Sequence, residues 1–117
     1  MFSIDLQSRV PIYEQLYKKT VELIIKGILK EDSQMPSVRN LAKQLGVNPN
    51  TVAKAYQELE RNGVTYSLTG RGSFVAKINQ KELKNFALID FDNAVDEALK
   101  AGLSCDDLVH RIGEKQK

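Results

Sequence analysis

The chain has 117 residues, 42% hydrophobic and 27% charged, which fits one domain plus a small appendage and excludes a disordered composition. No run approaches the ~20 apolar residues that span a bilayer, and the N-terminal MFSIDLQSR has an acid at position 5 and no secretory-type apolar stretch, so the cytosol is the expected compartment. The net charge of +2 is unevenly placed: residues 1–78 carry 11 Lys/Arg against 7 Asp/Glu, and residues 79–117 carry 6 against 8, as expected if only the first part faces phosphate.

Pro11 suits the first turn of a helix, where its missing N–H has no consequence. Ile12, Leu16, Leu23 and Ile24 then recur at helical spacing, which predicts a helix over 11–26 ending at Gly27. Residues 30–35 read as a polar connection. Ser37 is a good N-cap for a second helix, whose buried face is Val38, Leu41, Ala42 and Leu45. Gly46 is the natural left-handed residue after it. Asn48 caps a third helix with Pro49 at its first position, and that helix buries Val52, Ala55, Leu59 and part of Tyr56 before stopping at Asn62-Gly63. Val64 to Leu68 and Ser73 to Lys77 are β-prone, and Thr69-Gly70-Arg71-Gly72 between them supplies a tight hairpin. From Asn79 helical spacing returns, with Leu83, Phe86, Ala87, Phe91, Ala94, Val95, Ala98 and Leu99 on one apolar stripe closed by Gly102. Ser104 opens a last helix, with Asp106 and Asp107 suited to its positive end.

The predicted fold is mainly α with a small β-hairpin: a winged helix-turn-helix over residues 1–78 and a short two-helix dimerisation segment over residues 79–117. A recognition helix reads DNA from its N-terminal turns on the face away from the core. Here that face carries Asn50, Thr51 and Lys54, with small Ala53 permitting close approach. Asn can bond adenine bidentately, Thr can touch a thymine methyl, and Lys can reach guanine or phosphate. Arg39 and Ser37 at the start of the second helix can meet phosphate, and the Tyr56 hydroxyl can meet the DNA backbone. Arg71, held between Gly70 and Gly72, can enter the minor groove, where narrow A·T tracts concentrate negative potential. Asn48 joins the candidate set, although capping is its simpler role.

The elements Pro36-Ser37-Val38-Arg39, Leu41-Ala42, Leu45-Gly46-Val47-Asn48, Thr51-Val52, Ala55-Tyr56, Leu59-Glu60 and Gly70-Arg71-Gly72-Ser73-Phe74-Val75 together resemble the DNA-binding domain of the GntR family of bacterial transcription regulators. The short C-terminal part is similar to that of the YtrA subfamily. The resemblance implies operator contacts by Arg39, Asn50 and Thr51, a wing-tip glycine at Gly70, and a tail of two helices that dimerises. Ala53 stands where other branches often have arginine. Glu31-Asp32-Ser33 stands where the family usually reads Pro-Gly-Asp; because Asp tolerates positive φ, a changed loop is expected and not a changed fold.

The expected function is a homodimeric repressor that binds a palindromic duplex operator. The alternative is a winged-helix protein-interaction or antirepressor module that does not read sequence. About 40 tail residues cannot enclose a core alone, so the stripe needs a partner: a second copy, or helix 1 of the same chain. A small-molecule effector, if one exists, is expected at the dimer interface near Phe86 or Phe91. Cys105 is the only cysteine and His110 the only histidine, so no disulfide and no zinc site is expected. Without a nucleophile–base pair or a phosphate-binding glycine loop, neither an enzyme nor a cofactor is expected.

Overall fold

The computed structural model describes residues 2–116, the Gln80 side chain excepted. In chain order the elements are α1 (Ile12–Ile25), α2 (Val38–Leu45), α3 (Pro49–Arg61), β1 (Thr65–Leu68), β2 (Gly72–Val75), α4 (Gln80–Ala87), α5 (Ile89–Lys100) and α6 (Cys105–Lys115). They divide into two compact units, Met1–Lys84 and Asn85–Lys117, with the division inside α4.

In the first unit α1 and α2 both pack on α3, and α3 packs on β1. The core holds Leu16, Val21, Leu23 and Ile24 of α1, Leu41 and Ala42 of α2, and Val52, Ala55 and Leu59 of α3. Leu29, Met35, Val64 and Val75 close it from the connecting segments and the hairpin. The caps are those expected. Ser37 accepts the Asn40 N–H at 3.1 Å. Asn48 accepts the Asn50 N–H at 2.8 Å, with Pro49 in the first turn. Gly46 turns the chain between α2 and α3 at φ +70°, a conformation costly for a residue with a Cβ.

β1 and β2 pair antiparallel, Thr65 opposite Val75, Tyr66 opposite Phe74, Ser67 opposite Ser73 and Leu68 opposite Gly72. Thr65 and Val75 face the core, and the Tyr66 and Phe74 rings stack on the other face with centroids 5.6 Å apart. The segment 30–35, expected as a polar connection, is tied along β2. The Asp32 N–H donates to the Val75 carbonyl, the Val75 N–H to the Ser33 carbonyl and the Met35 N–H to the Ser73 carbonyl, at 2.8, 2.9 and 2.8 Å. Gln34 bridges Phe74 as a one-residue third strand. Asp32 takes φ +64°, as its place in the changed loop suggested, and its carboxylate accepts the Tyr66 hydroxyl at 2.8 Å. Gln15 pins the N-terminal arm: its Oε1 accepts the Asp5 N–H at 2.8 Å, and its Nε2 donates to the carbonyls of Asp5 and Val10 at 3.0 and 2.8 Å.

The tail departs from the expected pair of helices. The stretch read as one helix from Asn79 to Gly102 is broken at Leu88, so the region contains three. The Leu88 N–H bonds back three residues to the Asn85 carbonyl, and the Leu88 carbonyl accepts the Asp92 N–H to start α5. No glycine or proline marks the break; Asp90 and Asp92 suit the positive end of the new helix. Leu83, expected on the dimerisation stripe, belongs to the first unit and is fully buried in the single chain. In the second unit α5 and α6 contain no buried residue. Ser104 and Asp107 form a reciprocal capping box at the start of α6. The Asp107 carboxyl is held below its usual range, first by the hydrogen bond from the Ser104 backbone.

Tyr56 is 8% exposed and its hydroxyl donates to the Pro36 carbonyl at 2.6 Å. Tyr56→Phe removes that donor and leaves a part-buried carbonyl unpaired, so a loss of about 1–3 kcal/mol is expected on chemical denaturation. Leu59→Ala, which opens a core void, is expected to cost about 2–5 kcal/mol. A Tyr56→Phe protein as stable as wild type would show that the bond contributes nothing.

Candidate nucleic-acid interface

Three elements carry the sequence-predicted residues. On α3, Asn50 and Lys54 are exposed, and Thr51 and Ala53 are half-exposed, while Val52, Ala55 and Leu59 are buried. The helix therefore shows its polar first turns to solvent and keeps its apolar stripe inside. Asn48 is exposed, but its side-chain oxygen already accepts the Asn50 N–H. At the start of α2, Arg39 is exposed and Ser37 uses its hydroxyl as a cap. At the hairpin tip Thr69, Gly70, Arg71 and Gly72 are all exposed. Gly70 and Gly72 sit at φ +77° and +106°, and the Arg71 N–H closes the turn on the Leu68 carbonyl at 2.9 Å.

Tyr56 lies elsewhere. Its ring is part of the core, burial pushes its phenol above the usual tyrosine range, and its hydroxyl donates to the Pro36 carbonyl. The Tyr56 hydroxyl, read in the sequence as able to meet the DNA backbone, is engaged inside the protein, where it links α3 to the entry to α2. The physical reason is that an aromatic ring beside Val52 and Ala55 on an amphipathic helix follows the apolar stripe inward, and its hydroxyl then needs a buried partner.

Two contacts escaped sequence reasoning. The Lys54 ammonium lies 4.0 Å from the centroid of the Tyr13 ring, a cation–π contact that draws it towards the start of α1. The Gln34 Nε2 donates to the Arg71 carbonyl at 2.8 Å, tying the segment before α2 to the wing tip. Ser33, Gln34 and Met35 alternate in burial as a strand does, but the polar Ser-Gln pair gives no such alternation in the sequence. Among the described residues no group of His, Cys, Asp and Glu could hold a metal ion. Among the described residues no helix is long and apolar enough to cross a membrane.

Residues 12–75, the whole of this helix-turn-helix and its hairpin, match the GntR family of bacterial regulatory proteins. The chain belongs to that family. It is 49% identical over 77 residues to the HTH-type transcriptional repressor YtrA of Bacillus subtilis, a match that covers 66% of this chain and 59% of that protein. The chain thus spans less than two thirds of that relative's length. Its fold matches a GntR family transcriptional regulator from Listeria monocytogenes at a TM-score of 0.79 and 28% identity, over 95% of this chain and 98% of that one. It also matches the AraR DNA-binding domain, solved in complex with operator ORX1, at a TM-score of 0.57 and 32% identity, over 63% of this chain and 92% of that domain. The GntR family and these relatives are regulators of transcription, not enzymes.

Asn48 lies where capping and base contact would compete, and substitution separates them. Asn48→Ser preserves an acceptor at the N-cap and is expected to keep both stability and DNA affinity. Asn48→Ala is expected to cost about 1 kcal/mol of stability on thermal unfolding. Loss of affinity in the stable serine variant would instead make Asn48 a base contact.

Proposed function

We propose that this GntR-family chain is a cytoplasmic homodimeric repressor that binds a palindromic duplex operator. The observation that carries the reading is the polar, solvent-facing first turns of α3, with Asn50, Thr51 and Lys54 displayed from a helix whose opposite stripe is anchored in the core. Asn50 and Thr51 read base edges in the major groove, Arg39 holds phosphate or a guanine edge, and Arg71 enters the minor groove.

The tail supports the dimer. Phe91, Leu99, Leu103 and Ile112 are each at least 40% exposed in a unit whose helices α5 and α6 bury nothing. With Phe86, Ala87, Ala94, Val95 and Ala98 they supply the apolar surface that a second copy covers. A two-fold dimer sets its recognition helices roughly 34 Å apart, one turn of duplex, and so selects an inverted repeat. A small-molecule effector acting on such a dimer would bind between the tails near Phe86 and Phe91 and alter that separation.

Fluorescence anisotropy with duplex from upstream of the protein's own gene, against a scrambled duplex, tests the reading. Discriminating binding is expected, with affinity falling about a thousandfold or more between about 50 and 200 mM salt. Arg39→Ala is expected to weaken binding by about 1–3 kcal/mol, and Asn50→Ala likewise with relaxed base preference. Sedimentation is expected to show a dimer at micromolar concentration. A monomer that binds both duplexes alike and weakly would favour a protein-interaction module.

A further inference from the structure

We propose that Gln34 is a positioning residue for the wing: its side-chain amide holds the Arg71 carbonyl and so sets where the tip arginine is presented to DNA. The proposal rests on the reading that Arg71 meets the duplex.

The tip has few internal anchors. Thr69, Gly70, Arg71 and Gly72 are all exposed, and two of the four residues are glycines with the widest backbone freedom of any residue. Within the hairpin the Arg71 N–H closes the turn on the Leu68 carbonyl, beyond the Leu68–Gly72 pair that ends the ladder. Among the described residues, a single hydrogen bond reaches the tip from outside the hairpin: Gln34 Nε2 to the Arg71 carbonyl, 2.8 Å across 37 positions of sequence.

Gln34 is itself well placed. It bridges Phe74; beside it the Ser33 carbonyl accepts the Val75 N–H and the Met35 N–H donates to the Ser73 carbonyl. Paired residues share a face, so Gln34 lies on the face of the sheet shared by Tyr66, Phe74, Leu68 and Gly72. Gly72 presents no side chain there. A Cβ built on Gly72 would stand 3.3 Å from Gln34 Nε2, so the glycine leaves open the lane through which the amide passes. Its φ of +106° is one reason for a glycine at this position; the lane is a second.

The anchor continues to the recognition helix. Two residues after Gln34, the Pro36 carbonyl accepts the Tyr56 hydroxyl from α3. In extended chain those two residues span roughly 7 Å. One short segment therefore holds the wing tip at one end and α3 at the other. Arg71 and the Asn50–Thr51 turn are referenced to the same few backbone atoms, and the tip is ordered on folding, not at the moment of binding.

The test uses the full chain as wild type, Gln34→Ala, Gln34→Glu, Arg71→Ala and the Gln34→Ala/Arg71→Ala double variant. The first readout needs no DNA: the steady-state heteronuclear NOE of the Gly70, Arg71 and Gly72 amides. Both Gln34 variants are expected to lower it, since glutamate keeps the size but offers an acceptor to a carbonyl. The second readout is affinity for the tightest duplex recovered from a random-sequence selection. Gln34→Ala is expected to weaken binding about 3- to 10-fold, the effect of one hydrogen bond, and to have no further effect when Arg71 is already alanine. Unchanged NOEs would overturn the proposal. So would equal weakening by Gln34→Ala in the presence and absence of Arg71, which would show that Gln34 acts by another route. If Arg71→Ala binds as tightly as wild type, the reading of Arg71 fails and the proposal with it, whereas an effect of Arg71→Ala without one of Gln34→Ala sinks the proposal alone.

Discussion

The hydrogen bond from the Tyr56 hydroxyl to the Pro36 carbonyl is the constraint on which the geometry of the first unit most depends. The Tyr56 ring is buried with the rest of the α3 stripe, so its hydroxyl must find a partner inside the protein. The partner it finds is the residue that enters α2. One bond thereby fixes the start of α2 against the middle of α3. Pro36 adds to it: its ring locks φ, and it restrains Met35 before it to extended backbone, which is what the pairing of residues 33–35 along β2 requires. The hairpin, the entry to α2 and the side of α3 are thus joined through a few consecutive residues without a large contact area.

The same economy shapes the electrostatics. Arg39 and Arg71 are exposed, and Lys54 rests on the Tyr13 ring instead of on a carboxylate. A cation held by an aromatic face keeps its full charge and gives up little on moving to phosphate, whereas a salt-bridged lysine must first break a pair. Ion pairs on α1 and α3, Lys19 and Lys26 with Glu22 and Arg61 with Glu58, lie away from the first turns of α3. On the proposed reading, the charge offered to a polyanion is kept on the residues that display it, although the net charge is only +2.

Much of this was legible in the sequence because it is written in local rules. Ser37, Gly46, Asn48 and Pro49 each answer a backbone requirement at a helix end, and such requirements are met within a few residues. The glycines of the wing likewise announce their turn. What was not legible depends on partners distant in sequence. Nothing near Gln34 predicts Arg71, and nothing near Asp32 predicts Tyr66; the pairing of residues 33–35 with β2 creates both contacts. Tyr56 could be placed on the inner or outer side of α3 from spacing alone, and only the burial of its ring decides. The break at Leu88 escaped for the opposite reason. The apolar spacing runs through it without a glycine or proline, so periodicity reads one helix where the chain forms two.

The tail poses a problem that the rest of the chain does not. Thirty-odd residues cannot bury enough apolar area to offset the entropy of ordering them, and α5 and α6 accordingly leave Phe91, Leu99 and Ile112 in water. Their order is nevertheless supported locally: acids in the first turns of α5 and α6, a reciprocal cap at Ser104 and Asp107, and a left-handed Gly102 after α5 at φ +100°. Such devices contribute about 0.3–1.5 kcal/mol each, enough to bias a helix but not to hold an exposed apolar face in place. On the homodimer reading the missing stability comes from association, so the tail's order rises with protein concentration. Repression would then be coupled to abundance: below the dimerisation range each recognition helix would meet DNA singly and lose the avidity that a two-fold site confers.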